Sequence, residues 1–295
     1  MFSTIMLATD LSFSVEGLVP YVMETARVYG SKVLAVHVRT NEWGELQEEA
    51  AVRLKNQLGG IPHEVIIKDG DVQSELLTFV QQECVDLVVV GTHGRTGIGR
   101  ALLGSVAEAI FREAPCPVLT IRSQMLRPGA EPPTVKEVLL ATDLTSVSAE
   151  ATRYAVALAQ ENHCGLNILH VLPQSDEAIA IAQQRVTEAL RRLEEAVPRG
   201  THLWCDPYCL VEEGNPAEKI LEVASKYSVN MIVLGIRPHS LGLATHLARR
   251  TAHRVVVGAT CPVLTVRGWG KHARERETAK RKLRQSGESA GLCPA

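Results

Sequence analysis

The sequence predicts an α/β protein built from two tandem, doubly wound domains. Three observations carry that expectation. Short apolar runs alternate with apolar stripes at helical spacing. The whole series occurs twice, in the same order. A glycine-rich segment follows directly on one of the apolar runs. Strands separated by helices imply parallel pairing through right-handed crossovers, and such sheets hold ligands at the carboxyl ends of strands.

The elements of the first half read in order. Phe2–Ala8 is an apolar run of the kind buried on both faces of a sheet. Val15, Leu18, Val19, Val22 and Ala26 then share one helical stripe. Lys32–Val38 is the second expected strand, Asn41–Leu58 a more polar helix, His63–Lys68 the third strand and Ser74–Glu83 a short helix. Val85–Val90, Ser105–Glu113 and Pro117–Ile121 complete the half as strand, helix and strand.

The second half repeats this pattern. Met6-Leu7-Ala8-Thr9-Asp10-Leu11 returns as Leu139-Leu140-Ala141-Thr142-Asp143-Leu144, and Cys116-Pro117-Val118-Leu119-Thr120-Ile121-Arg122 as Cys261-Pro262-Val263-Leu264-Thr265-Val266-Arg267. The offset drifts only from 133 to 145, which indicates duplication of a whole domain. The stripes recur as Val147, Ala151, Tyr154, Ala155 and Leu158, then as Ile179, Ala182, Val186, Ala189 and Leu193. Pro128-Gly129 and Pro132-Pro133 mark a linker between the halves. The expected domains are therefore residues 1–124 and 134–268. Residues 269–295 form a basic tail without a core-facing stripe, expected to be disordered or a solvated helix.

Composition narrows the function classes. Of the 295 residues 45% are hydrophobic and 22% charged, the balance of a globular protein, and the formal net charge of -2 argues against bulk electrostatic binding of nucleic acid. No apolar run approaches the ~20 residues that span a bilayer. The first residues read as a strand, not as a signal peptide. Seven cysteines without framework spacing fit reduced thiols, and a cytoplasmic location is expected.

The candidate site lies after the fourth strand. The segment Gly91-Thr92-His93-Gly94-Arg95-Thr96-Gly97-Ile98-Gly99-Arg100-Ala101-Leu102-Leu103-Gly104-Ser105-Val106 holds five glycines and leads into a helix. Glycines let a backbone approach a ligand closely, and a helix N-terminus aims free N–H groups and partial positive charge at an anion. Ser105 stands where a helix cap is expected. Neither G-x-x-x-x-G-K-[ST] nor a G-x-G-x-x-G after the first strand is present.

The spacing Gly91, two residues, Gly94, nine residues, Gly104-Ser105 resembles the signature of ATP-binding universal stress proteins. Ala8-Thr9-Asp10-Leu11-Ser12, His37-Val38 and Cys116-Pro117-Val118-Leu119 extend the resemblance. It implies a five-stranded parallel sheet of order 3-2-1-4-5 in each half and ATP, with or without Mg²⁺, at its switch point. It implies Asp10 at the adenine or ribose end, Ala8 lining that pocket, Val38 offering backbone groups to the base, and Val90 ending the strand. Gly91, His93 and Gly94 would wrap ribose and phosphates; Gly104, Ser105 and Val106 would hold the outer phosphates. Asp10 as a simple helix cap is the competing expectation, and His37 is expected to bond locally. The resemblance also implies a pseudo-dimer through Val118–Arg122 and Val263–Arg267, whose apolar, β-branched edges invite strand addition; further homo-oligomer formation stays open.

The second half departs from the loop pattern. Gly235 is kept, but Pro238 replaces Gly94, and Ala248-Arg249 stand for Gly104-Ser105. Proline fixes φ and removes an N–H, so the cradle is not expected to form there. A separate anion site from Arg237, Arg249, Arg250 and Arg254 is the alternative. His202, Cys205 and Cys209 fit no common metal spacing, and no nucleophile–base pairing is evident. The expected function is nucleotide-dependent regulation without catalysis. A slow ATPase or self-phosphorylating enzyme and a nucleotide-free interaction module are the alternatives.

Overall fold

In the computed structural model the described residues are 1–12, 17–39, 45–92, 103–122, 125, 134–145, 148–175, 178–201, 205–236 and 243–267, without the side chains of 243–249. The first half runs β1 (Thr4–Ala8), α1 (Val19–Tyr29), β2 (Lys32–Arg39), α2 (Glu45–Gln57), β3 (His63–Asp69), α3 (Val72–Gln82), β4 (Leu87–Gly91), α4 (Ser105–Glu113) and β5 (Val118–Ile121). The second runs β6 (Glu137–Ala141), α5 (Ser148–Asn162), β7 (Gly165–Leu172), α6 (Ile179–Ala196), β8 (Tyr208–Glu213), α7 (Pro216–Lys226), β9 (Met231–Ile236), α8 (Leu243–Gly258) and β10 (Val263–Arg267). All ten strands form one sheet in the order β3-β2-β1-β4-β5-β10-β9-β6-β7-β8. Each half has the expected order 3-2-1-4-5 and is parallel throughout.

Alternation along the strands divides the core into two layers. Met6 and Ala8 face one cluster with α3, α4, α7 and α8; Ile5 and Leu7 face the other with α1, α2, α5 and α6. Because both faces are covered, the strands read as continuous apolar runs.

The duplication extends to the backbone. Left-handed positions come in matched pairs: Leu11 and Leu144, Gly30 and His163, Gly60 and Gly200, Gly70 and Gly214, Cys84 and Ser228. Helix starts show where local sequence decides. Pro20 in the first turn helps set the start of α1, and Gly30 ends it at φ 63°. Asp71 caps α3 by accepting from the Ser74 N–H at 3.0 Å, two residues ahead of the expected start. The expected second stripe overreaches: Ala189 and Leu193 are buried on α6, but Ile179 is 78% exposed.

The two halves meet through their last strands, and here the pairing is antiparallel. Leu119 lies opposite Leu264, flanked by Val118 opposite Thr265 and Thr120 opposite Val263. This register maps each strand onto the other, so the pseudo-two-fold passes through the Leu119–Leu264 pair. Thr265 Oγ1 donates to the Val118 carbonyl at 3.2 Å. Beyond the strands, Arg122 donates to the Ala259 carbonyl at 3.1 Å, and Arg267 donates to the Arg112 carbonyl. Each arginine thus reaches the C-terminal end of the other half's last helix, where cations and donors are favoured. Leu264→Ala removes a side chain that is 2% exposed at this pair and is expected to cost about 3 kcal/mol. Urea unfolding monitored by circular dichroism measures it; a change under ~0.5 kcal/mol, the level of a surface substitution, would contradict a packed seam.

Candidate functional site

The first turn after β1 is built by its own side chains. Thr9 is buried, and its Oγ1 accepts from the Leu11 N–H at 2.9 Å. Asp10 Oδ1 accepts from the Ser12 N–H at 3.0 Å. These two bonds hold Leu11 at φ 57°, a conformation that costs a non-glycine residue about 1–2 kcal/mol. His37 reaches over from β2, its Nδ1 2.9 Å from the Thr9 carbonyl oxygen. With that oxygen as acceptor, Nδ1 carries the proton. The local bond expected for His37 is therefore present.

Among the described residues Asp10 caps no helix. Leu18 occupies the N-cap of α1, without a side-chain cap bond. The Asp10 carboxyl instead closes its own turn through one oxygen. The other, Oδ2, is buried and has no hydrogen-bond partner among the described residues. A buried acceptor without a donor is costly, on the order of 1–3 kcal/mol.

The apolar wall beside this turn comes from the ends of three strands. Ala8, Val38 and Val90 are buried and share one cluster with Leu103 and Ala107, and Val106 packs against it. Gly91 ends β4 half-buried. The Thr92 N–H donates to the Ile121 carbonyl at 3.1 Å, and the Thr92 carbonyl accepts from the Gly104 N–H at 2.8 Å. That second bond ties the start of α4 to the end of β4. His93 and Gly94 lie outside the described residues.

The helix start differs from expectation in one respect. Gly104, not Ser105, is the N-cap, with extended backbone (φ −61°, ψ 150°) and no side-chain cap bond. Ser105 is the first helical residue and is exposed. The need for glycine at 104 is steric, since a Cβ there would stand 3.2 Å from the Thr92 carbonyl oxygen. The first N–H groups of α4 have no intrahelical acceptor. Sequence reasoning overlooked Thr9 and Thr92; the repeat of Thr9-Asp10 as Thr142-Asp143 was the available signal for the first.

The second half keeps one part of this arrangement and loses the other. Thr142 Oγ1 accepts from the Leu144 N–H at 3.0 Å, Asp143 Oδ1 from Thr145 at 3.1 Å, and His170 Nδ1 stands 2.8 Å from the Thr142 carbonyl. Leu144 repeats the left-handed turn at φ 58°. But α8 begins at Leu243, so Ala248 and Arg249 lie inside the helix. Their N–H groups belong to the intrahelical ladder and are not available to a ligand. Gly235 packs on α5, where a Cβ would meet Ser148 Cα at 3.2 Å. Pro238 is outside the described residues.

Other candidates resolve as follows. Arg254 donates to Glu218 at 2.8 Å and to Asn215 at 3.1 Å, so it belongs to a surface ion pair with α7 and not to an arginine anion site. Arg250 is exposed; Arg237 and the Arg249 side chain are outside the described set. Cys205 precedes β8, and Cys209 lies on it; both pack against the same core layer. His202 is not described, and among the described residues no cluster of metal-binding type occurs. Cys116, Cys164, Cys205, Cys209 and Cys261 are free thiols; Cys84 departs from the expected reduced state and is disulfide-bonded. Burial pushes the Cys261 thiol up to about 12 and the Cys164 thiol to about 11, so neither is an activated thiolate. Among the described residues no helix is long and apolar enough to cross a membrane.

A family model described as the universal stress protein family matches residues 1–122 and, a second time, 134–267. The chain belongs to the universal stress protein family. It is 32% identical over 149 residues to the universal stress protein YxiE of Bacillus subtilis, covering 44% of this chain and 98% of that protein. A universal stress protein of Mycobacterium tuberculosis, Rv2005c, is 27% identical over 242 residues, 76% of this chain and 79% of the relative. In fold the chain is similar to a universal stress protein from Archaeoglobus fulgidus, with a TM-score of 0.65 at 21% identity over 90% of this chain and 98% of that one. The last comparison extends across both halves.

The tie between Thr92 and Gly104 gives a test of local geometry. Gly104→Ala presses a methyl group against the carbonyl that the same residue's N–H bonds, with an expected cost of about 1 kcal/mol. Denaturant unfolding of this universal stress protein variant measures it; unchanged stability would show that the helix start yields without cost.

Proposed function

We propose that the first half binds an adenine nucleotide, ATP with or without Mg²⁺, and that occupancy regulates the protein in a stress response inside the cytoplasm. The carrying observation is the buried, unpartnered Oδ2 of Asp10 at the carboxyl end of β1. A carboxyl oxygen in want of donors suits ribose hydroxyls or the adenine amine. The uncapped start of α4 offers the reverse, N–H donors and a positive helix end for phosphate oxygens. Ala8, Val38 and Val90 supply an apolar wall for the base. Acceptors at one end and donors at the other match the two ends of a nucleotide. Gly91, Gly104, Ser105 and Val106 are the described residues that would meet the phosphates; His93 and Gly94 belong to the same proposal through the family resemblance.

The role proposed is binding without turnover, because the described groups of the site are hydrogen-bond partners for a ligand. Among the described residues the second half offers no matching helix start, since α8 runs through Ala248 and Arg249.

Calorimetric titration of the full chain with ATP and Mg²⁺ is expected to give one equivalent bound. Asp10→Ala is expected to weaken binding about tenfold or more, and Asp143→Ala to leave it unchanged. Two equivalents would overturn the single-site assignment. No heat and no thermal stabilisation at millimolar ATP would overturn the nucleotide assignment itself.

A further inference from the structure

The thiols divide unequally. The chain has seven cysteines, of which Cys116, Cys164, Cys205, Cys209 and Cys261 are free. Cys84 is disulfide-bonded. The one cysteine left to bond it is Cys293, in the basic tail outside the described residues. Cys84 lies in the turn that follows α3, half-buried, with Gln81, Gln82 and Glu83 exposed before it. Its backbone is left-handed at φ 50°, and its N–H donates to the Gln81 carbonyl at 3.3 Å. Ser228 holds the same place in the second half, at φ 52°, with the matching bond to the Ser225 carbonyl at 3.2 Å. The turn itself therefore needs no sulfur.

The tail leaves the fold beside this turn. β10 runs antiparallel to β5, with Thr265 opposite Val118, so its end at Arg267 lies at the start of β5. There Arg267 donates to the Arg112 carbonyl in the last turn of α4. Cys84 lies at the same end of the sheet. Asp86, two residues on, donates its N–H to the Thr4 carbonyl at the start of β1, and β4 pairs with β5 in parallel from Val88 and Val118. α3 and α4 touch and share one core layer, and packed helices lie about 8–10 Å apart. Residues 268–292 separate Arg267 from Cys293. A flexible coil of that length spans on the order of 25–30 Å, more than the two helix ends require. Charge favours the same placement. Residues 271–284 hold seven lysines and arginines against Glu275 and Glu277. Glu83 and Glu113 are exposed at the ends of α3 and α4, with Arg112 as the neighbouring cation, and the last carbonyls of both helices add partial negative charge.

We propose that the C-terminal segment of the chain docks across the C-terminal ends of α3 and α4 and is locked there by a reversible disulfide between Cys84 and Cys293. Closure is thiol–disulfide exchange with a small disulfide of the glutathione type. One protein thiolate attacks a glutathione sulfur and releases one glutathione thiol; the other protein thiolate attacks the mixed disulfide at the protein sulfur and releases the second. The two protein thiols give up two electrons and two protons, which leave on the two glutathione thiols. Glutathione keeps cytosolic thiols reduced, so in a cytoplasm the segment is released until the oxidant rises. The nucleotide site proposed above lies at the opposite end of the strands and shares none of these residues.

The full chain is equilibrated with oxidised glutathione, quenched by alkylation, digested with trypsin and mapped by mass spectrometry without reduction. The expected product is one linked pair, the peptide that contains Cys84 joined to residues 285–295. Reduced glutathione is expected to remove the pair and to return both thiols in alkylated form. Cys84→Ser, which places at this turn the hydroxyl that the second half carries, and Cys293→Ser are each expected to abolish the pair; Cys209→Ser is expected to keep it. Circular dichroism establishes that each variant is folded. Docking is read by brief exposure to trypsin in the oxidising buffer, where the wild-type tail is expected to be cut several-fold more slowly than that of Cys84→Ser. Alkylation of both Cys84 and Cys293 in the oxidising buffer, a bond from Cys293 to any other cysteine, or a Cys84 bond between two chains would overturn the lock. Equal cutting of the two tails would overturn the docking. None of these results bears on ATP binding, which is read separately by calorimetry.

Discussion

The antiparallel contact between β5 and β10 is the constraint on which the rest of the molecule depends. Four- and five-residue strands of Val, Leu, Thr and Ile would be exposed sheet edges in isolated halves, and such edges invite pairing with any available strand. Here each finds its own near-copy. The register centres on Leu119 and Leu264, so every contact on one side of the dyad is approximately repeated on the other. The reciprocal arginine contacts follow from the same symmetry, because each strand end arrives beside the other half's helix terminus. One sheet, rather than two, is the consequence.

That symmetry makes departures from it informative. The turn after the first strand is kept in both halves down to the left-handed leucine and the histidine reaching from the next strand. A conformation that costs about 1–2 kcal/mol each time is held by the same threonine bond. The helix before the last strand is not kept. Its C-terminal end coincides in the two halves, one residue or so before the Ala114 and Ala259 carbonyl region, while its N-terminal end does not: α4 begins at Ser105 and α8 begins well before Ala248. Extending a helix backward consumes N–H groups that a short helix leaves free. The difference between the halves is thus a difference in where one helix starts.

Much of this was legible in the sequence because strands buried on both faces leave long apolar runs and because the runs recur. The edge pairing was legible for a related reason, two nearly identical β-branched strands with nothing else to cover them. What escaped was set by where each turn and helix boundary falls, which residue spacing does not fix. A helix cap was the competing expectation for Asp10, yet α1 starts at Val19 and the carboxyl bonds within its own turn. Ser105 looked like a cap, but the Gly104 N–H bonds the Thr92 carbonyl and shifts the boundary by one residue. Ile179 fitted a stripe by spacing and is exposed, since periodicity does not tell where a helix leaves the sheet it packs on.

The small cavity lined by Leu87, Leu119, Met231 and Leu264 where the halves meet was not legible at all, because no single segment encodes it. Paired positions across the dyad hold different residues in its lining, Thr25 against Leu158 and Tyr29 against Asn162. Two identical chains related by a true dyad must present the same residue on both sides of the axis. A site on that axis would then have two donors or none. Joining the copies in one chain removes the restriction, and each side can change alone. The start of α4 at Ser105, against that of α8 at Leu243, is a departure of this kind. The constant part is the strand pair between them, which holds Leu119 against Leu264 whatever the flanking helices carry.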